Sequence, residues 1–415
     1  MRYPIRRLPG TPDALTRIYR YQDYSLVIRK DFIMMSNSNL VYVTSPQSVR
    51  YEQINLFDLL AGKVKVKVIP NTLTGTRTIK TPNPSKYYEQ GFIDTVGAEL
   101  LLYNVRWASL KDADRNSLYE QFFIPKKTGG LRKINAPLPD MSTALIDLRE
   151  ILARALPWNY HTSAYAYVSG RKTLDAVKRH QANNSKWFLK LDMKDFFGNT
   201  TKEFVMSMFN LIAPFNLICE TPTYKEVLED ALDLAFLNGG LPQGSPLSPM
   251  LTNIIMIPFD YELNRALEDV GVYTYTRYAD DLVISCQHEF DYKKIIQVVK
   301  DVLAKLNAPY SLKEEKTKYG SSAGSNWILG LMLNRDGGIT VGHKNKKRFR
   351  AMCNSFLTDE SKFDLEELQY LSGLLSYYHG IEPDYFDELI GKLNEKHGVN
   401  FEAKLEDAMK LARGW

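Results

Sequence analysis

Two adjacent carboxylates, Asp280 and Asp281, follow Tyr278-Ala279 in a stretch bracketed by two strand-like runs. Residues 272–278 alternate as Val-Tyr-Thr-Tyr-Thr-Arg-Tyr, and residues 282–286 read Leu-Val-Ile-Ser-Cys. Such β-branched and aromatic residues favour strands. Two aspartates at the tip of the resulting hairpin concentrate negative charge where folding alone does not require it. Paired carboxylates at a tight bend suit two divalent cations. Spaced roughly 3.5–4 Å apart, such cations clamp the attacking and leaving oxygens of a phosphoryl transfer. An ordinary polar turn uses the same residues, so this chemistry needs support from the rest of the chain.

That support begins upstream. Trp187-Phe188-Leu189-Lys190-Leu191 is a largely apolar strand candidate that runs into Asp192. A carboxylate at the end of a buried strand must be paired, hydrogen-bonded or metal-bound, because a lone buried charge is costly. Asp192 fits a third metal ligand, with a helix N-cap as the plainer alternative. Asp195 suits a solvated or capping role. Between the two carboxylate elements lies Leu241-Pro242-Gln243-Gly244-Ser245-Pro246-Leu247-Ser248-Pro249, preceded by Gly239-Gly240. Ser248 and Pro249 read as N-cap and first helical residue, and Pro258 is expected to kink or end that helix. A polar, glycine-rich loop feeding a helix is suited to cradling phosphate. Nearer the N-terminus, Thr128-Gly129-Gly130 reads as the turn of a hairpin flanked by Lys126, Lys127, Arg132 and Lys133. Those cations are placed to embrace a triphosphate, Arg132 in bidentate fashion; a solvated basic hairpin is the bland alternative.

The order of these elements decides between the readings. Basic hairpin, Ala164-Tyr165-Ala166-Tyr167-Val168-Ser169-Gly170-Arg171, Asp192 strand, Gln-Gly loop, Asp-Asp hairpin, Glu315-Lys316-Thr317 and Ile328-Leu329-Gly330-Leu331 follow one another. This series resembles the reverse transcriptase superfamily, in particular bacterial enzymes related to group II introns, retrons and phage-defence systems. The resemblance covers about residues 115 to 350. It implies an α+β right-hand polymerase with fingers, a palm of antiparallel sheet backed by helices, and a helical thumb. It implies that Asp192, Asp280 and Asp281 hold two Mg²⁺ ions, with Mn²⁺ as a substitute. Phe197 falls where the family carries an aromatic gate against the ribose 2′-hydroxyl. Gln243 would line the nucleotide pocket, and Lys126, Lys127 and Arg132 would neutralise the triphosphate. Lys316 matches a late lysine that protonates pyrophosphate, with Lys313 and Lys318 as competitors. The expected reaction is addition of deoxynucleotides to a 3′-hydroxyl on an RNA template. The alternatives are an untemplated or RNA-synthesising nucleotidyltransferase, and a catalytically silent RNA-binding scaffold.

Lineage is approached by elimination. A group II intron protein carries further regions for which this chain leaves little room. Retron enzymes show Val-Thr-Gly near the thumb where this chain has Ile339-Thr340-Val341-Gly342, and diversity-generating elements show Ser-Gln where it has Ser248-Pro249. The remaining expectation is a defence-associated enzyme copying a dedicated noncoding RNA.

Composition is compatible with all this. Of 415 residues, 44% are hydrophobic and 24% charged, as in ordinary globular proteins. The net charge of +5 is small, so local clusters are a better guide to polyanion binding than the total. The densest is Lys344-Asn345-Lys346-Lys347-Arg348-Phe349-Arg350, expected at the palm–thumb junction, where Lys344, Lys346, Lys347, Arg348 and Arg350 would meet a nucleic-acid backbone. Three scattered cysteines, odd in number, indicate neither a disulfide framework nor a Cys-type zinc site. No secretory leader or membrane-length apolar run is present, so a cytoplasmic enzyme without a membrane partner is expected.

Three regions follow. Residues 1–112 form an N-terminal extension, for fingers or RNA binding, with an alternating strand at 63–68 and a loop at 71–84. Residues 113–335 form fingers and palm. Residues 336–415 form a helical thumb, with a capping arrangement at Asp364–Glu367, an apolar stripe Leu365, Leu368, Leu371, Leu375 and Tyr378, closure at Gly380, and helices at 383–396 and 401–411.

Overall fold

In the computed structural model, the described residues are 90–415 apart from 127–128, 157–159, 272, 323–326, 335 and 415. Before them only six short strands are described. These are Ser25–Ile28 paired with Glu52–Asn55, Phe32–Met34 with Leu40–Tyr42, and Val66–Val68 with Arg77–Ile79. Only 66–68 of the alternating run at 63–68 is described as strand. The expected loop at 71–84 contains a strand, because Arg77-Thr78-Ile79 carries two β-branched residues that pair with Val66–Val68.

A four-stranded antiparallel sheet organises the rest. Its order is Thr274–Tyr278, Asp281–Cys286, Trp187–Asp192, Lys318–Ser321. Side chains alternate across it. Leu189, Leu191, Leu282, Ile284 and Tyr275 join one large core, shared with helices Gln90–Arg106, Pro139–Ala155, Ser248–Ile255, Ile257–Val270 and Tyr292–Lys305. Phe188 and Val283 point the other way, into a second core with Val177, Phe349, Phe356, Phe386 and Phe401. Asp192 and Asp281 have the same parity as Phe188 and Val283, so they belong to the face that the C-terminal helices share. A buried histidine fastens that face. His180, on helix Thr173–Ala182, bonds Ser285 Oγ at 2.6 Å through Nδ1 and Thr276 Oγ1 at 2.8 Å through Nε2.

The C-terminal helices are His343–Thr358, Leu365–His379, Pro383–His397 and Phe401–Ala412. Asp364 and Glu367 form the reciprocal cap that the sequence predicts, and the Leu365 helix ends at Gly380. Of its stripe, Leu368, Leu371 and Tyr378 are buried. Ser248 departs from its expected role. The helix begins at Ser248 itself, with Leu247 as N-cap, because the Ser248 hydroxyl lies beneath the loop and donates to the Pro242 carbonyl at 3.0 Å. Pro258 acts as expected: one helix stops at Ile255 and a second begins at Ile257.

Candidate active site

Strand pairing builds the site from its backbone. In register, Asp281 faces Tyr278 across the hairpin and Asp192 on the neighbouring strand. The hairpin turn is Ala279-Asp280, with Ala279 held at φ 56°, a conformation that costs a non-glycine residue energy and clusters at functional sites. The Asp280 carbonyl accepts from the Met193 N–H at 3.1 Å, tying the turn to the residue after Asp192. The backbone thus brings all three carboxylate-bearing residues to one end of the sheet. Asp195 lies off the site, exposed and in a left-handed conformation.

Electrostatics set these acids apart from surface ones. The surrounding protein, then the charges of Asp280 and Asp192, push the Asp281 carboxyl up to about 6, although its side chain still reaches solvent. Asp280 is raised too, first by desolvation and then by Asp192, with Lys313 and Lys316 opposing. Asp192 is buried and both its oxygens are taken: Lys313 Nζ bonds Oδ1, and Lys316 Nζ bonds Oδ2 at 2.7 Å. That bond is the foremost reason the Lys316 pKa is raised. Lys313 and Lys316 thus share one carboxylate, one on each oxygen. Among the described residues, no three His, Cys, Asp or Glu side chains form a ready-made metal cage. The donor set still fits hard divalent cations. It consists of carboxylate oxygens alone, and two of the three acids carry negative charge that the protein neutralises poorly.

The loops around this end interlock through glycines. A Cβ on Gly240 would lie 2.0 Å from the Gly198 carbonyl oxygen, and the Leu241 N–H donates to the Phe197 carbonyl at 2.9 Å. The segment that carries Phe197 is thereby fixed against the Gln243 loop. Phe197 is half-buried, in edge contact with the buried Phe196 at 5.7 Å. The hairpin Tyr119–Pro125/Leu131–Pro137 docks on the same loop: the Asn135 N–H donates to the Gln243 carbonyl at 2.7 Å. Gly244, at φ 114°, lies against Asn135, where a Cβ would be 2.8 Å from its carbonyl oxygen. Lys126 and Arg132 are exposed on this hairpin, and Lys127 lies outside the described residues. On the C-terminal helices Lys344, Lys347, Arg348 and Arg350 are exposed, but Lys346 is not free to reach a backbone. Its ammonium bonds Glu382 at 2.5 Å and sits 3.9 Å from the Tyr385 ring centroid.

Sequence reasoning missed the support behind the turn. Arg277, which it read only as one residue of an alternating strand, is fully enclosed. It forms a fork to Asp260 (2.8 and 2.7 Å), reaches Asn253 at 3.1 Å, and donates to the Ala279 carbonyl at 3.4 Å. Tyr275 adds a third bond to Asp260 at 2.8 Å. The signal available was Asp260, an acid within the otherwise apolar start of its helix. Lys190 was missed as well. It lies two residues before Asp192 on the same face, and burial first, then Lys318, lowers its pKa to about 8.

Comparison with known proteins agrees with this arrangement. A family model described as reverse transcriptase (RNA-dependent DNA polymerase) matches residues 124–357. The retron Ec83 reverse transcriptase of Escherichia coli is 30% identical over 67% of this chain and 87% of its own length. The retron Ec73 reverse transcriptase of the same organism is 28% identical, over 66% and 85%. These relatives are retron enzymes, although Ile339-Thr340-Val341-Gly342 departs from the retron element. Among solved structures, apo telomerase from Candida tropicalis matches with a TM-score of 0.40 at 14% identity, over 71% of this chain and 62% of that one. Ordered motifs, a palm sheet with paired aspartates at its turn, and a family match over more than half the chain lead to one assignment: this chain belongs to the reverse transcriptases, as a retron-like bacterial member of that family of RNA-directed DNA polymerases.

Proposed function

We propose that this polymerase copies a dedicated, structured noncoding RNA into DNA within bacterial antiphage defence, with Asp192, Asp280 and Asp281 holding two Mg²⁺ ions. The register that sets Asp281 opposite Asp192 at the end of the palm sheet is the observation that carries the site assignment. The defence role and the dedicated template rest on the family resemblance. In this reading residues 113–335 act as fingers and palm and 336–415 as thumb, with 1–112 contributing to fingers or RNA binding.

Bound there, the ions supply Lewis-acid activation of a primer 3′-hydroxyl and charge neutralisation at the triphosphate. The protein's own groups do the rest. Lys126, Lys127 and Arg132 approach the triphosphate from the hairpin, which is seated on the Gln243 loop. Gln243 lines the pocket from that loop. Phe197 lies under the sugar and turns away a 2′-hydroxyl by steric clash. Lys316, held protonated by Asp192, is poised to give a proton to the leaving pyrophosphate. Lys344, Lys347, Arg348 and Arg350 offer sequence-independent phosphate contacts to the primer–template duplex. Lys346 is better assigned to holding its helix against Glu382.

The test is to purify the full chain from its native host, sequence the copurifying RNA, and assay synthesis with deoxynucleotides and ribonucleotides. One abundant structured RNA, copied with deoxynucleotides, is expected. Random host RNA overturns the dedicated template, and preference for ribonucleotides overturns the gate.

A further inference from the structure

Tyr167 is a large aromatic residue in a conformation that bulky side chains avoid, and the fold keeps it there. Its φ is 57°. For such a residue a left-handed backbone is an outlier, sustained only where the surroundings over-determine it. They do so here on both sides. The Asn253 side chain donates to the Ala166 carbonyl at 2.6 Å. Arg171 donates to the carbonyls of His161 and Ala164, each at 2.6 Å. The neighbours are core residues: Tyr165 and Ala166 are buried, yet Tyr167 is 51% exposed. Strained backbone, strong anchoring and an exposed ring make a poor arrangement for stability alone.

Its position gives the arrangement a purpose. Ala164 makes a parallel bridge to Arg277, and the Tyr165 N–H donates to the Arg277 carbonyl at 2.9 Å. Three residues beyond that bridge the two segments reach Tyr167 and Asp280. Asp280, Tyr278 and Arg132 all act electrostatically on the Tyr167 phenol. Tyr167 therefore stands beside the carboxylate turn, within electrostatic reach of Arg132 on the basic hairpin, near the space a nucleoside triphosphate needs if its phosphates face both. The same Asn253 that holds Ala166 also accepts from Arg277, so one buried network sets both the turn and Tyr167.

We infer that the Tyr167 ring is the surface on which the base of the incoming deoxynucleotide stacks. This rests on the polymerase reading above and adds a base-binding residue to it. Every base presents a π-face, so the contribution is sequence-tolerant. Losing one base–aromatic stack corresponds to about 5- to 150-fold in apparent affinity.

The test is steady-state primer extension by the full chain on a mixed-sequence RNA template with an annealed DNA primer. Tyr167→Ala is expected to raise KM about 5- to 150-fold for all four deoxynucleotides alike, with a smaller change in kcat. Tyr167→Phe and Tyr167→Trp, which keep an aromatic face, recover most of the loss. Tyr167→Gly relieves the strained backbone, so it should melt no lower than wild type while matching the KM of the alanine variant. A wild-type KM in Tyr167→Ala overturns the inference. So does a Gly variant that melts well below wild type together with a Phe variant as impaired as Ala, because the residue would then be structural. Failure of the wild type itself to extend the primer would instead strike the polymerase reading.

Discussion

Replacing Arg277 with Met should unsettle the Asp-Asp turn from behind. The side chain is 1% exposed and its partner Asp260 is fully buried. Asp260 receives three hydrogen bonds, two from Arg277 and one from Tyr275. Arg277→Met removes two of the three and leaves a carboxylate in a dry interior, at a cost of about 3–5 kcal/mol. Against a total stability of about 5–15 kcal/mol, that is about a fifth of the fold or more. The double variant Arg277→Met/Asp260→Asn removes both charges and keeps an acceptor for the Tyr275 hydroxyl, so it should recover at least half of the loss. It does not restore the bond from Arg277 to the Ala279 carbonyl. DNA synthesis by the stable double variant should therefore stay about 2- to 10-fold below wild type, the worth of one net hydrogen bond. Urea unfolding followed by far-ultraviolet circular dichroism measures the first effect, read as a fall in midpoint at constant slope. Primer extension measures the second. A single variant within about 0.5 kcal/mol of wild type, the range of ordinary surface changes, would refute the reasoning.

Three further outcomes are expected. His161 and His180 are wholly buried and their pKa values are lowered from 6.5 to about 3, chiefly by desolvation. The unfolded chain binds those protons first, so stability is full above pH 6.5 and falls as pH drops from 6.5 towards 3, by up to about 1.4 kcal/mol per unit for each histidine. Urea midpoints at pH 7 and pH 5 check this, and His180→Asn should flatten the slope. Phe197→Ala should admit ribonucleotides, seen as a lower deoxynucleotide-to-ribonucleotide ratio of kcat/KM; an unchanged ratio removes the gate role from Phe197. Gly240→Ala should destabilise by about 3 kcal/mol, the upper range for overpacking, because its methyl meets the rigid Gly198 carbonyl; a normal melting temperature would mean that the two loops part easily.

Elements whose signal is local were legible in the sequence. The Asp-Asp hairpin, the Gly-Gly turn, the break before Pro258 and the Asp364–Glu367 cap each depend on residues within a few positions of one another, and each formed. The fold class followed from the order of such segments. What escaped depends on partners distant in the chain. Nothing near Arg277 announces Asp260, on a helix an earlier turn of the fold away, so a buried ion pair looked like one residue of an alternating strand. Lys346 read as one more cation in a basic run, yet Glu382, from a different helix, captures it. Asp192 read correctly as a buried acid in need of a partner, but its two lysines come from beyond position 310. Ser248 obeyed the tertiary demand of Pro242 over its own capping preference. Tyr167 lies within the 164–171 motif, but its strained backbone cannot be read from residue type.

The claim beneath all of this is that Asp192, Asp280 and Asp281 act together as a divalent-ion site for DNA synthesis. Primer extension on an RNA template by Asp280→Asn/Asp281→Asn, across a Mg²⁺ series, tests it most directly. No product is expected at any Mg²⁺ concentration from a protein that keeps the wild-type circular dichroism spectrum and RNA affinity. Synthesis near the wild-type level would contradict it.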